Sequence, residues 1–204
     1  MTDIWTPVAL SHDVPPGVAI PAQLDGQGLV VWRSAGQHLS AWQDRCPHRG
    51  MRLSHGFVRG EFLSCIYHGW RYGADGQCRK IPAHPELSPP EAIKVPGYAT
   101  IEASGAIWVA PEGETSVPPQ FPGFTGFRSI RIHAAAEELA AVLGDDHKQT
   151  IEQCEVIALI QPLPDRFCNL HILAPEGEGN DQLDLLSQAI EALRVRVEKA
   201  GEEA

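Results

Sequence analysis

The chain has 204 residues, 43% hydrophobic and 21% charged, which is ordinary for a globular protein and enough to bury a real core in one domain, or one domain and a small second one. The formal net charge of -10 argues against binding nucleic acid or an anionic membrane through a global basic field. No apolar run reaches the roughly 18 residues of a membrane span, and the start MTDIWTPVAL lacks a basic segment followed by an apolar one, so no leader is expected and the expected setting is cytoplasmic.

Residues 1–110 read as all-β. Short runs such as GLVVWRS and HLSAWQD are rich in Val, Trp and Leu and are bounded by Gly and Ser, as strands are. Asp75-Gly76 marks a hairpin turn, and AIKVPGYATIEASGAIWVAPEG reads as two further strands around Gly105. Residues 111–127 are dense in Pro and Gly, with Pro118 and Pro119 making the stretch stiff.

Residues 128–204 change character. RSIRIH reads as a strand and AAAEELAAVL as a helix ending near Gly144. CEVIALIQPL and RFCNLHIL read as a hairpin turning at Pro164-Asp165. NDQLDLLSQAIEALRVRVEKAG reads as a helix, capped by Asn180 or Asp181 and ended by Gly201. Its stripe Leu183, Leu186, Ile190, Leu193 and Val197 has helical period and is expected to pack on the hairpin rather than form a coiled coil. The expected organisation is an all-β domain over 1–114, a linker over 115–127 and a small β-α-β-β-α domain over 128–204.

The chemistry concentrates in DRCPHRGMRLSHGFVRGEFLSCIYHGW. Here Cys46-x-His48 and Cys65-x-x-His68 are two tight loops, each offering one thiolate and one imidazole. Clustered Cys and His in a reducing compartment read as metal ligands. Two groups fit the set: zinc in a Cys2His2 tetrahedron, for which Cys-x-His is tight, and a [2Fe–2S] cluster with two Cys on one iron and two His on the other. His55 is off the pattern and reads as a loop residue, and Cys78, Cys154 and Cys168 read as free thiols.

Cys46-Pro47-His48-Arg49-Gly50 and Cys65-Ile66-Tyr67-His68-Gly69-Trp70 resemble the Rieske motif of the ring-hydroxylating and O-demethylating non-haem iron oxygenases. The resemblance extends from Trp5 to about Glu114 through AWQDRCPHRGMRLSHG, YHGWRYGADGQC and GAIWVAPEG. It implies a Rieske [2Fe–2S] cluster, with Cys46 and Cys65 on the inner iron and His48 and His68 on the outer one. The respiratory branch of such proteins has a disulfide beside the cluster and a serine donor; here those positions are Met51, Tyr67 and Trp70. Fewer donors to the sulfurs imply a potential of roughly -150 to 0 mV. Arg45, Arg49 and Arg52 either offset the charge of the cluster, dock an acidic partner, or are solvated loop residues.

In that family the cluster feeds a mononuclear iron held by two His and a carboxylate. The matching motif, Asp-x-x-His with a second His shortly after, is not evident here. Asp145, Asp146 and His147 come nearest, with His133 and His171 as the other histidines after His84, and all three histidines are expected at the surface. A mononuclear Fe(II) is therefore not expected, and no catalytic residue is assigned. The 77 residues from Arg128 resemble the tail of the family's catalytic domain, a helix-grip-like sheet and helix in reduced form. The resemblance implies a reductase or ferredoxin as electron donor, an oxygenase or other acceptor, and a homo-oligomer, a trimer in the family. The alternative is an atypical oxygenase subunit whose iron is completed by an unusual triad or by a partner subunit.

Overall fold

The computed structural model describes residues 4–144, 146–151 and 153–202. The strands in chain order are β1 (Thr6–Leu10), β2 (Ala19–Leu24), β3 (Gln27–Arg33), β4 (Leu39–Gln43), β5 (Phe57–Arg59), β6 (Phe62–Ser64), β7 (Arg71–Tyr72), β8 (Cys78–Lys80), β9 (Gly97–Ala103), β10 (Ala106–Ala110) and β11 (Phe124–Ile132). Helix α1 (Ala136–Leu143), β12 (Lys148–Ile151), β13 (Cys154–Leu163), β14 (Phe167–Pro175) and helix α2 (Asn180–Glu202) complete the chain. Three sheets form, ordered β1-β10-β9-β4-β3-β2, β5-β6-β7-β8 and β11-β14-β13-β12.

Contacts divide the chain into two compact units, one holding Asp13–Ile101 and Val109–Val117, the other Thr6–His12, Glu102–Trp108 and the chain from Pro118. In the first unit β2, β3 and β4 pair antiparallel in sequence order. Asp25 and Gly26 join β2 to β3 with both residues at positive φ, 48° and 76°, as a two-residue hairpin requires. The small meander β5–β8 turns at Asp75-Gly76, where the Gly73 N–H donates to the Gln77 carbonyl at 3.0 Å. Its core joins Val30, Trp32, Trp42, Leu53, Leu63 and Tyr72, so the small sheet is fixed to the larger one by apolar burial.

In the second unit the sheet β11-β14-β13-β12 carries both helices on one face. The stripe Leu186, Ile190, Leu193 and Val197 is buried, with Leu183 packed beside it, against Ile130, Ile132, Leu170 and Ile172. This is the packing expected from its period, and each such side chain contributes about 1.5–3 kcal/mol on burial. Arg128 ties β11 to α2 through the Ser187 hydroxyl at 2.6 Å and the Glu191 carboxylate at 2.5 Å. The other sheet face is covered in part by β1, which runs against β11, β13 and β14.

Three sequence expectations change. β11 begins at Phe124, inside the stretch assigned to the linker. Gly126 there is a strand glycine: a Cβ on it would lie 2.6 Å from the Gly105 carbonyl oxygen, so a close backbone approach explains it. A further strand, β12, pairs with β13, giving β-α-β-β-β-α instead of β-α-β-β-α. Finally, α2 continues through Gly201 to Glu202; one glycine costs about 1 kcal/mol, less than the packed stripe before it contributes. Among the described residues no helix is long and apolar enough to cross a membrane.

Candidate metal centre

The four selected residues sit on two loops built alike. In the first, the Cys46 N–H donates to the Met51 carbonyl and the Gly50 N–H to the Cys46 carbonyl, both at 2.8 Å. In the second, the Cys65 N–H donates to the Trp70 carbonyl at 2.9 Å and the Gly69 N–H to the Cys65 carbonyl at 3.0 Å. Gly50 and Gly69 close the loops at φ 72° and 69°, a left-handed conformation that glycine takes without steric cost. The second loop bridges β6 and β7. The first follows β4 and is braced by Asp44, whose carboxylate accepts the Ser54 N–H at 2.7 Å and the Ser54 hydroxyl at 2.6 Å.

The loops sort their side chains by depth. Cys46 and Cys65 are 3% and 2% exposed and belong to the core of the first unit. His48 is half-buried and His68 exposed, with ring centroids 4.7 Å apart. Trp70 stacks on His48 at 4.2 Å and 5° between planes. Tyr67 lies tilted against His68 at 3.9 Å. The residues that stand where the respiratory branch has its disulfide and serine thus include two rings that orient the imidazoles.

Burial raises the Cys65 thiol above its ordinary value, and neighbouring Cys46 adds to this, while the backbone N–H groups of Tyr67 and His68 aim at its sulfur and oppose it. Two adjacent buried thiols resist ionising together unless positive charge joins them. His48 is lowered by desolvation first, then by His68 and Arg49. The Tyr72 hydroxyl and Cys46 sulfur are 3.1 Å apart. Burial, then the bond to Cys46, pushes the Tyr72 ionisation far above the usual phenol range, so its O–H remains the donor. This donor comes from β7, and residue identities around the loops did not reveal it.

The donor set fits a two-iron cluster on this geometry. It consists of a thiol pair in the core, an imidazole pair at the surface, and backbone N–H groups directed at sulfur. Among the described residues no three His, Cys, Asp or Glu converge as a single ion would require. Beside the site, Arg45, Arg49 and Lys94 line a notch of about 470 Å³ with Cys46, His48 and Gln43. Arg52 is exposed outside that lining.

The remaining candidates lie elsewhere. His55 is exposed at the end of a short 3-10 turn. Cys78, Cys154 and Cys168 are buried free thiols, and burial pushes Cys168 up to about 11. Asp145 lies outside the described residues, and the Asp146 carboxylate accepts the Lys148 N–H at 3.0 Å. His133 is exposed, stacked on Phe167 at 4.6 Å, and His147 is half-buried with its ring edge-on to Phe121 at 5.5 Å. His171, expected at the surface, is instead 2% exposed. Its Nδ1 lies 2.7 Å from the Ser129 hydroxyl and its Nε2 3.3 Å from the Gln161 carbonyl oxygen. Since that oxygen can only accept, Nε2 carries the proton and Nδ1 accepts from Ser129.

The model of the Rieske [2Fe-2S] domain matches residues 4–98. The oxidoreductase NdmD of Pseudomonas putida is 40% identical over 114 residues, covering 54% of this chain and 19% of that protein. The phthalate 4,5-dioxygenase oxygenase subunit of Pseudomonas putida is 32% identical over 136 residues, covering 64% of this chain and 31% of that protein. The chain thus spans less than a third of the length of these relatives. The structure of Pseudomonas putida CBB5 NdmA superposes with a TM-score of 0.77 at 19% identity, covering 95% of this chain and 80% of that one, which extends the likeness of fold through the second unit. Residues 4–98 are therefore a Rieske [2Fe–2S] domain, in a chain that resembles the α subunits of Rieske oxygenases.

Proposed function

We propose that the chain carries single electrons, with its cluster held by Cys46 and Cys65 on the inner iron and His48 and His68 on the outer one. The observation that supports this most is the depth gradient: the thiols lie in the core while the imidazoles stand at the surface with rings 4.7 Å apart. When bound, the Rieske cluster supplies reversible one-electron chemistry, at a potential set by its ligands and the donors to its sulfurs. The residues around it exclude water from the thiol side and leave the imidazole side open to a partner. Trp70 and Tyr67 hold the two rings in orientation, and the N–H groups of Tyr67 and His68 stabilise charge on Cys65. The partners proposed are a reductase or ferredoxin as donor and an oxygenase or other acceptor. A reducing compartment, such as the cytoplasm, suits five unpaired cysteines.

Likeness to an oxygenase subunit supports a second reading, in which a mononuclear iron is completed by an unusual triad or by a partner chain. Metal counting separates the two. The carrier reading expects two irons per chain and a reduced EPR spectrum with the low average g of mixed Cys/His ligation. A third iron that survives dialysis transfers the case to the oxygenase reading. A colourless protein with one zinc sinks both.

A further inference from the structure

Helix α2 has a second face that the fold leaves uncovered. Opposite its buried stripe, Asp181, Leu185, Gln188, Ala192, Val195 and Lys199 are exposed, alternating steps of four and three residues as along a coiled-coil seam. Asp184 and Arg196, also exposed, flank that line. At about 100° per residue all eight side chains fall within an arc of about 120°. Leu185 is 55% and Val195 40% exposed, so two large apolar side chains stand in water on one line.

The order along this face is acid, apolar, base, and it is symmetric about Ile190. Reversing the helix about that residue places Asp181 on Lys199, Asp184 on Arg196, Leu185 on Val195 and Gln188 on Ala192. A two-fold contact demands this pattern, because residue i must meet j while j meets i. We propose that this face of α2 is a homodimer seam, in which two copies of the chain pair these helices antiparallel.

The helix dipole alone accounts for an acid in the first turn and a base in the last. It does not account for exposed Leu185 and Val195 at matched distances from the centre. Among the described residues Asp181, Asp184, Arg196 and Lys199 make no ion pair, unlike Arg194, which is engaged by Glu191 and Glu198 on the same helix. The four charges are therefore available to a partner of complementary pattern, and a second copy supplies it. Gln188 and the small Ala192 meet near the axis, where helices 8–10 Å apart need short or flexible side chains. With one Leu–Val layer on each side of the axis, the seam makes a reversible dimer rather than a permanent one. A three-fold ring uses a head-to-tail contact instead, so mass distinguishes the two assemblies.

Sedimentation equilibrium of the full chain over a concentration series is the test. The expected result is a reversible shift from one chain to two. Asp181→Lys with Asp184→Arg makes the face wholly basic, and Arg196→Asp with Lys199→Asp makes it wholly acidic. Each double variant should self-associate at least about tenfold more weakly, a loss of ~1.4 kcal/mol, while an equimolar mixture of the two should recover a dimer with one copy of each. Leu185→Lys, at an exposed position, should weaken the dimer without lowering helix content by circular dichroism. A chain that stays single at every concentration, a three-chain mass, or folded double variants that fail to pair when mixed would each overturn the proposal.

Discussion

Tyr72 places a hydroxyl 3.1 Å from the sulfur of Cys46, and its side chain is fully buried. A donor to a ligand sulfur stabilises the electron-richer reduced cluster more than the oxidised one, and so raises the potential. Tyr72→Phe removes that donor and little else. The expected result is a midpoint lower by tens of millivolts, ~60 mV for each ~1.4 kcal/mol of differential hydrogen-bond strength, with iron content unchanged. Film voltammetry reads it directly, and an unmoved midpoint would mean that the hydroxyl does not act on the cluster. The two Cys/His loops were legible because their residue types and glycines lie at local spacing. Tyr72 was not, since it reaches Cys46 across 26 residues of chain. His171 was misjudged for a related reason. Alternation puts it on the β14 face away from the helices, but only the fold shows that this face is buried there. Burial lowers its pKa to about 4, against about 6.5 in an unfolded chain. The unfolded chain therefore takes up a proton first as pH falls, so stability present above pH 6.5 is lost on the way down to about 4. That loss is on the order of 3 kcal/mol. Denaturant melts across that window should show it in the native chain and a flatter profile in His171→Gln.

The two Cys/His loops are the elements on which the proposed site depends. Each closes with the same pair of backbone hydrogen bonds and the same left-handed glycine, so each Cys is turned inward while the His beside it stays out. An added Cβ at Gly50 would meet nothing closer than Arg45 Cγ at 4.0 Å, which leaves conformational strain alone, about 1–2 kcal/mol. At Gly69 the same strain adds to a 3.2 Å approach to Pro82 Cγ. Gly50→Ala should therefore lower Tm by a few degrees, at roughly 2–4 °C per kcal/mol for a chain of this size, and Gly69→Ala by more. Equal losses would show that the Pro82 contact yields without cost. Elsewhere, long periodic elements were legible: α2 and the β13–β14 hairpin stand where their patterns put them. β12 was not, because Lys148–Ile151 is too short to show a period and becomes a strand only by pairing with β13.

At the scale of the whole molecule two fields compete for any partner. The chain carries a net charge of -10, which repels an acidic protein at long range, while Arg45, Arg49 and Lys94 line a notch beside His48 and attract one at short range. Screening decides between them, since the Debye length is about 10 Å at 0.1 M salt. If the notch governs docking, electron uptake from a reduced acidic ferredoxin slows as salt rises. If the global charge governs, it speeds up. Steering of this kind is worth about 10- to 1,000-fold in association rate, so the sign of the salt slope is easily read by stopped flow. The notch is expected to win, because Arg45, Arg49 and Lys94 line it together with His48, so a partner docked there meets three cations at short range. Lys94 is the position to change, as it lies outside both ligand loops and need not alter the cluster. Lys94→Glu should slow the acidic donor about tenfold at low salt and flatten its salt dependence, with iron content unchanged. The same variant should react faster with a cationic cytochrome. Loss of rate with both partners would place the defect in the cluster and not in docking.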